Sequence, residues 1–533
     1  MADRILVNAK IWTGNSGQPW AEAVAIQNGN ILAVGTNVSI KKMAGRDTET
    51  IDAKGGFVVP GFIDSHVHFL NGGFSLTSIQ LRDAASKEEF VSRIAAKARS
   101  LSKGEWILNG EWDQTRFSPP ELPRKEWIDA VTPDNPVCVN RLDGHMILAN
   151  SLALKAGGVT KSTPVPPGGE IVRDPATGEP TGILKDAAMD LIYDRIPTPT
   201  LEQNLKAAQA AMKHAAELGV TSVQDMSDPS SFEAYQELLR RNQLSVRLSV
   251  YIPVTEVDAL SRLKIKSPFG NDFLKLAGLK GFADGSLGSA TAYFFEPYTD
   301  NPKTKGLLHA QMFPEGIMEQ RVLAADRAGL QVAIHAIGDR ANSIILDIYE
   351  RASAQDGPRD RRFRIEHAQH LRPSDIARFG ELGVMASMQP YHAIDDGRWA
   401  EDKIGLERAR TTYAFRSLLE KGARVAFGSD WPVAPIDPIQ GIYAAVTRRT
   451  IDDKNPGGWV PEQKISVEAA IQGYTSAGAY AEFAERIKGS IEAGKLADLV
   501  ILDRNLMDIP PEDIRKAKVR MTLLGGRIIY KKD

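Results

Sequence analysis

The stretch Gly61–Leu70, GFIDSHVHFL, places His66 and His68 two positions apart in a short apolar run, directly after a Val-Val-Pro-Gly corner. Side chains on a β-strand alternate between the two faces, so a strand here would point both imidazoles to the same side. Two neutral imidazoles on one face can bind a single divalent cation. A His-x-His pair alone is a weak signal, and its interpretation depends on the rest of the chain.

Composition narrows the class of protein. The chain has 533 residues, 43 % hydrophobic and 25 % charged, which is typical of a globular protein with one large domain and appendages. A formal net charge of −2 argues against a nucleic-acid partner, and no apolar run approaches the ~20 residues of a membrane helix. The single cysteine, Cys138, excludes an intrachain disulfide. We therefore expect a cytoplasmic protein that acts on a small-molecule substrate and does not bind a membrane.

The middle of the chain alternates apolar strand-like runs with helical stretches, which predicts parallel βαβ units in an α/β fold. Eight runs, the number required by a (β/α)₈ TIM-like barrel, are predicted at Phe62–His68, Val220–Gln224, Val246–Ile252, Leu276–Phe282, Gln331–His335, Phe363–His367, Val384–Met388 and Arg424–Gly428. Two further runs, Trp106–Asn109 and Pro136–Asn140, are assigned to an α/β insertion at about 77–200.

Short β-runs also occur at both ends of the chain. Asn28-Gly29 near the start and Gly525-Gly526 near the end are turn signals between such runs. We therefore predict a small β-sandwich domain assembled from residues 1–60 and 481–533, with the barrel and its insertion occupying residues 61–480.

Several metal-ligand types fall at or just beyond the ends of the predicted barrel strands, namely His66, His68, Lys280, His335, His367 and Asp430. The carboxyl ends of barrel strands meet at one mouth, where barrel enzymes hold their catalytic groups. Each residue has an ordinary structural interpretation by itself. Their occurrence at five separate strand ends indicates a metal site.

With these residues in place, the chain resembles the amidohydrolase superfamily of metal-dependent hydrolases, and within it the YtcJ-like branch, amidohydrolase family 3. The resemblance covers essentially the whole chain. It rests on PGFIDSHVHF, LKGFADGSLGS, RIEHAQH, SMQPYHA, FGSDWPV and GSIEAGKLADLVILD, the last of which is typical of the return to the β-sandwich.

The resemblance implies two divalent metal ions. His66 and His68 would bind the more buried ion, and His335 and His367 the second. Lys280 would be carboxylated by CO₂ to a carbamate that bridges the two ions, because a lysine ammonium has no lone pair for a metal. The alternative is a structural Lys280 in a polar network, with either one metal or a pair bridged in another way. Asp430 would contact the first metal and act as the catalytic proton shuttle. Zn²⁺ suits these ligands, as do Mn²⁺, Co²⁺ and Fe²⁺.

Three residues are predicted to contact substrate: His145 in NRLDGHMILANSLAL, His392 in QPYHA, and Asp284 shortly after Lys280. For His145 the alternative is a structural role in the insertion, and for Asp284 it is a structural role in a tight Asp-Gly turn. Glu366 precedes His367, so we expect it to face the outer helices and to pair with Arg362 or Arg364. His214 and His309 are interpreted as structural, and His370 as a residue of the following helix or the surface. Lys275, five positions before Lys280, should face the opposite side if the strand is regular.

The predicted function is hydrolysis of a non-peptide C–N bond, such as an N-acyl, N-formyl or other amide, by a metal-activated hydroxide. Ester, lactone or organophosphate hydrolysis could use the same site. Single-metal deamination is disfavoured because AIGDRA, after His335, contains no Glu. A catalytically inactive scaffold is disfavoured because every expected ligand position is kept. The resemblance is compatible with a homodimer, although no residue requires one.

Overall fold

Eight parallel strands form a nearly closed barrel in the computed structural model, which describes residues 1–532. In chain order the strands are β1 (Phe62–Val67), β2 (Val220–Met226), β3 (Arg247–Pro253), β4 (Leu274–Phe282), β5 (Gln331–Ala336), β6 (Arg364–His367), β7 (Met385–Met388) and β8 (Val425–Phe427). A parallel bridge between Val67 and Trp431 brings β1 beside the segment after β8. The predicted barrel is confirmed.

Alternate residues of the strands face different cores. Val250 of β3 and Leu276 of β4 belong to the large hydrophobic core shared with the surrounding helices. Their neighbours Tyr251 and Ala277 join Met226 and Ala333 in a separate small cluster. This division follows the two-residue period of a strand and leaves the inner face for polar side chains at the barrel mouth.

A β-bulge in β4 sets which way Lys275 and Lys280 face relative to each other. The pairing of β3 with β4 runs from Val250–Leu276 directly to Tyr251–Gly278, so Ala277 is an extra residue in β4. A bulge shifts the alternation of side chains by one position. Lys275 and Lys280 therefore share a face, contrary to the expectation for a regular strand. Lys275 forms an ion pair with the buried Glu482, with 3.0 Å between Nζ and Oε2.

Helices follow the barrel strands as βα units require. They span Phe69–Ser75, Leu201–Glu217, Pro229–Arg240, Val257–Arg262, Ile317–Ala328, Asp339–Asp356, Pro373–Glu381, Pro390–Asp396, Ala400–Ile404, Leu406–Ala409, Phe415–Glu420, Pro438–Thr447, Val467–Gly473 and Ser476–Ala481. Short 3₁₀ turns at Val254–Glu256, Ala310–Met312 and Pro461–Gln463 complete the connections. No helix within residues 1–532 is long and apolar enough to cross a bilayer.

Two sheets are built from the chain ends. One contains Ala2–Val7, Ala23–Gln27, Asn30–Gly35 and Ala44–Asp52, and the other contains Lys10–Trp12, Trp20–Ala21, Phe57–Pro60, Leu499–Leu502, Val519–Leu524 and Arg527–Lys531. Asn28 and Gly29 form one hairpin turn with φ of 50° and 79°. One hydrophobic cluster, which includes Leu6, Val58 and Leu499, joins residues from both sheets. The second sheet thus pairs strands from both chain ends, next to a short helix at Asn37–Lys41 and a 3₁₀ turn at Pro511–Lys516.

A five-stranded sheet lies in the long segment between β1 and β2. Its strands are Ile107–Leu108, Val137–Asn140, Met146–Ala149, Gly169–Arg173 and Pro180–Asp186, with helices at Lys87–Arg99, Lys125–Ile128, Ser151–Ala156 and Asp190–Tyr193 and 3₁₀ turns at Gln114–Arg116 and Asp129–Val131. The two extra strand-like runs of the sequence therefore lie outside the barrel. Thr200 and Gln203 form a capping box at the start of Leu201–Glu217, which returns the chain to the barrel.

Candidate metal centre and substrate cavity

A cavity of about 530 Å³ lies between the carboxyl ends of the barrel strands and the insertion. Every residue predicted to bind metal lines it, from His66 and His68 on β1 to Asp430 after β8. Residues of the insertion, including Asn140, Arg141 and His145, supply the opposite wall. The candidate metal ligands of the barrel and the residues of the insertion therefore face each other across one cavity.

The first group of donor atoms joins the two ends of the barrel sheet. His66 Nε2 and His68 Nε2 each lie 3.4 Å from Asp430 Oδ1. Asp430 has a φ of 60°, and its backbone N–H donates to the His66 carbonyl oxygen at 2.7 Å. A positive φ is costly for aspartate, so this strained turn is fixed by its neighbours and directs the carboxylate at both imidazoles.

A second group shares the same carboxylate. His367, His392 and Asp430 offer one atom each, all within 4.8 Å of one another, as in the first group. His367 has a φ of 72°, which turns its side chain away from the strand direction and toward the cavity. His392 lies on the short helix Pro390–Asp396 after β7. Asp430 is therefore placed between two sets of histidines, as a ligand shared by two ions would be.

Hydrogen bonds on the far side of two rings fix their orientation. Glu366 Oε2 lies 2.5 Å from His66 Nδ1, and Gln389 Oε1 lies 2.8 Å from His367 Nδ1. Such contacts are typical of metal-ligating histidines, because they set the tautomer and aim Nε2 at the ion. The expectation that Glu366 faces the outer helices is wrong. Glu366 does bind Arg364, but both side chains lie inside the barrel, because the break in β6 falls at His367.

Several of the donor atoms have no hydrogen-bond partner, which fits a site for a divalent cation. His66 Nε2, Lys280 Nζ, His392 Nε2 and Asp430 Oδ1 are buried without a hydrogen-bond partner among residues 1–532. Buried polar atoms are normally paired, since an unpaired one costs free energy. Four such atoms at one strand-end cluster indicate that the chain provides ligands for a group outside itself.

The protonation states of His68 and Asp430 agree with this assignment. For His66, burial and Lys280 lower the pKa, but the carboxylates of Asp430 and Glu366 outweigh them and raise it above its usual value. Burial lowers the pKa of His68 to about 4 and that of Lys280 to about 8. Burial alone would raise the pKa of Asp430, but His66 and the other nearby imidazoles hold it well below its usual range. At neutral pH the cluster therefore presents a neutral imidazole at His68 and a carboxylate at Asp430, which are the forms that bind metals.

His335 lines the cavity but belongs to neither donor group. Its Nε2 lies 3.1 Å from the Gly285 carbonyl oxygen and 3.5 Å from Asp284 Oδ1, so the ring is turned toward the loop after β4. The ring centroid is 4.5 Å from that of His367. The structure thus places His392, predicted to contact substrate, in the second donor group where the sequence predicts His335.

The predicted substrate contacts separate into two kinds. His145 lines the cavity, and its Nδ1 lies 2.7 Å from Asp186 Oδ1, which orients the ring. Asp284 does not line the cavity: it accepts hydrogen bonds from the backbone N–H groups of Ile337, Gly338 and Tyr293, at 2.8–3.0 Å. These hydrogen bonds give Asp284 a structural role, in which its oxygens hold the loops that follow β4 and β5, and its contact with substrate stays a prediction.

His309 and His370 lie outside both donor groups, and only His370 departs from the sequence interpretation. His309 has a structural role, since its Nδ1 accepts a hydrogen bond from the Gln311 backbone N–H at 3.1 Å, and it also lines the cavity. His370 is buried and lies before the next helix, where its Nδ1 is 2.8 Å from Thr412 Oγ1. The sequence reasoning also missed Asp186 and Gln389, because their partners His145 and His367 are distant in sequence. Asp186 stands at the end of the strand Pro180–Asp186, a strand that the sequence analysis did not predict.

Comparison with known proteins decides the family. The model of the amidohydrolase family matches residues 49–530. This chain belongs to the amidohydrolase family. The Bacillus subtilis protein YtcJ is 32 % identical over 96 % of this chain and 96 % of its own length, so the amidohydrolase family 3 resemblance seen in the sequence is confirmed.

Other relatives of this amidohydrolase carry different names. The Arabidopsis thaliana protein LONG AFTER FAR-RED 3 is 42 % identical over 99 % of this chain and 92 % of its own length. An N-substituted formamide deformylase of Arthrobacter pascens is 27 % identical over 100 % of this chain and 99 % of its own length. Among solved structures, an uncharacterized metal-dependent hydrolase of Pyrococcus horikoshii superposes with a TM-score of 0.77 at 29 % identity, over 96 % of this chain and 99 % of that one.

Proposed function

We propose that this amidohydrolase hydrolyses a non-peptide C–N bond, in an N-formyl or other N-acyl amide, with the help of two divalent metal ions. The observation that carries the proposal is the convergence of unpartnered buried donor atoms at the barrel mouth: His66 Nε2, Lys280 Nζ, His392 Nε2 and Asp430 Oδ1. The name of the Arthrobacter pascens relative, an N-substituted formamide deformylase, supports an amide substrate.

His66, His68 and Asp430 would hold one ion, and His367, His392 and Asp430 the other. Zn²⁺ is our first candidate because imidazole and carboxylate ligands suit it. When bound, such ions polarise a carbonyl oxygen and lower the pKa of water to about 7. Glu366 and Gln389 keep the two histidine rings aligned, so the donor atoms need little reorganisation.

Lys280 is proposed to carry a carbamate. Its neutral amine would attack CO₂, forming an N–C bond and releasing one proton, to give an anionic group with two oxygen donors. Burial favours this because it lowers the lysine pKa to about 8 and so raises the fraction of neutral amine. The Nζ atom is buried without a partner, which leaves it free to react.

Asp430 is proposed to move the proton that hydrolysis requires. Its carboxylate lies 3.4 Å from both His66 Nε2 and His68 Nε2, where it would accept a proton from the attacking water. It would then deliver that proton to the leaving nitrogen, because an amine anion is too poor a leaving group. His145, oriented by Asp186, faces the same cavity and is proposed to contact the substrate.

The test is amine release from a panel of N-formyl and N-acetyl amides, with matched esters, by zinc-loaded protein. We expect amide turnover that is lost on chelation, restored by Zn²⁺, and reduced about 10²–10⁴-fold by Asp430→Asn. Asp453→Asn, an exposed aspartate, is the control and should leave turnover unchanged. Amide hydrolysis that survives chelation or Asp430→Asn, or hydrolysis of the esters alone, would contradict the proposal.

A further inference from the structure

The insertion gives the cavity an apolar wall. Leu108, Cys138, Met189, Tyr193 and Ile196 all line it. Cys138 and Met189 belong to a hydrophobic cluster of the insertion against which Leu108 and Ile196 also pack. Because the candidate metal ligands come from the barrel strands, this wall faces the part of a substrate that extends away from the reacting bond.

The arginines that line the cavity are already paired. Arg141 donates from Nη1 to Asp143 Oδ2 at 2.6 Å and from Nε to Gln114 Oε1 at 2.7 Å. Arg398 forms an ion pair with Asp395, and its Nη2 lies 3.4 Å from Asp113 Oδ2. Arg141 Nη2 also lies 3.5 Å from Asp113 Oδ1. Neither guanidinium is available to a substrate carboxylate without the loss of these buried contacts.

Negative charge remains after this pairing. Most carboxyl groups that line the cavity have a partner: Asp186 pairs with His145, Glu111 lies 3.6 Å from Arg82, and Asp430 belongs to the candidate metal centre. Asp190, at the exposed rim of the insertion, has no Arg, Lys or His within ion-pair distance among residues 1–532. A carboxylate bound beside the apolar wall would therefore be desolvated near Asp190 and without a cationic partner, which is unfavourable.

We infer that the cavity selects substrates by charge: the group carried on the scissile nitrogen is apolar and either uncharged or cationic, and compounds with a carboxylate there are rejected. This inference rests on the proposed C–N hydrolysis and names the substrate class for it. Discrimination of this kind needs a repulsive element as well as an attractive one. The apolar wall is the attractive element, and the unpaired rim carboxylate of Asp190 is part of the repulsive one.

The experiment uses zinc-loaded protein and three N-formyl phenethylamines that share one reacting bond and differ at the para position: hydrogen, carboxylate or aminomethyl. We expect kcat/KM for the carboxylate compound to be at least about tenfold below that of the unsubstituted one, and the aminomethyl compound to equal or exceed it. Equal or better turnover of the carboxylate compound overturns the inference. Dissociation constants from tryptophan fluorescence should follow the same order, and the opposite order overturns the inference even without turnover.

A matched pair of variants locates the effect. Asp190→Lys should shrink the difference in kcat/KM between the carboxylate compound and the unsubstituted one by at least about threefold. Glu121→Lys makes the same charge change elsewhere in the insertion, at an exposed residue outside the cavity lining, and should not. Equal effects of the two variants would refute selection at the rim. Absence of turnover for all three compounds would count against formamide hydrolysis, while their binding order still tests the charge selection.

Discussion

Replacing Glu366 by Gln is expected to weaken both the barrel and the metal centre. Glu366 is fully buried and accepts hydrogen bonds from Arg364 Nε at 2.8 Å and Nη2 at 3.1 Å, as well as contacting His66 Nδ1. Glutamine keeps the size of the side chain and removes its charge. Arg364 would then be left as a buried cation without its carboxylate, although it keeps neutral partners such as the Ser65 carbonyl oxygen.

The size of the loss follows from the pKa of Glu366. Burial alone would raise that pKa, but Arg364 and then His66 lower it from 4.5 to about 2. At about 1.4 kcal/mol per pKa unit, the folded state favours the carboxylate by roughly 3 kcal/mol. Because the folded pKa lies below the unfolded one, this stability is present above about pH 4.5 and is lost as pH falls toward 2. Loss of the contact to His66 should also weaken metal binding about 10–100-fold.

The assay is chemical denaturation of the metal-free protein at pH 7 and at pH 3.5, with zinc titration of each form. Glu366→Gln should lower the free energy of unfolding by about 3 kcal/mol at pH 7 and by less at pH 3.5. Glu485→Gln is the control: its ion pair with Arg362, at 2.8 Å, leaves Glu485 about 36 % exposed, so the cost should stay below about 1 kcal/mol. Equal losses for the two variants, or a loss for Glu366→Gln that grows at low pH, would refute this reasoning.

Two further predictions concern the centre and its support. His392→Ala should lower the zinc content measured by atomic emission, whereas His335→Ala should change it less. The reason is that only His392 shares a donor group with His367 and Asp430. The reverse result would favour the ligand set predicted from the sequence. Gly72→Ala should destabilise the protein by about 1–3 kcal/mol in thermal unfolding, because the added Cβ would lie 2.1 Å from Trp431 Cε3. Gly457→Ala is the control and should be neutral, because no atom lies within 4 Å of the added Cβ. Equal effects of the two variants would contradict the packing argument.

The barrel and most of the site could be predicted from the sequence because their signals are local. Apolar runs ending in His or Asp mark where each strand reaches the mouth, as at His66 and His68. Such periodicity carries no information about single-residue irregularities. Because of the bulge at Ala277, Lys275 lies on the same face as Lys280 and not on the opposite one. Because of the positive φ at His367, Glu366 and His367 can both face the barrel interior.

Contacts between distant segments were beyond sequence reasoning. Asp186 lies 41 residues after His145, and Gln389 lies 22 residues after His367, yet each pair is hydrogen-bonded. The orientation of His335 toward Gly285 likewise depends on a loop from another strand. Ligand types at strand ends could therefore be named in advance, whereas their grouping around Asp430 could not.

Metal content per chain, for the wild type and for Lys280→Ala expressed with added zinc, tests the proposed centre most directly. We predict a value near two for the wild type and a lower value for Lys280→Ala, because loss of the lysine removes the carbamate ligand. Lys275→Ala, on the same strand but paired with Glu482, should keep the wild-type value. A value near one that is unchanged by Lys280→Ala would contradict a carbamate-bridged pair and favour a single ion held without Lys280.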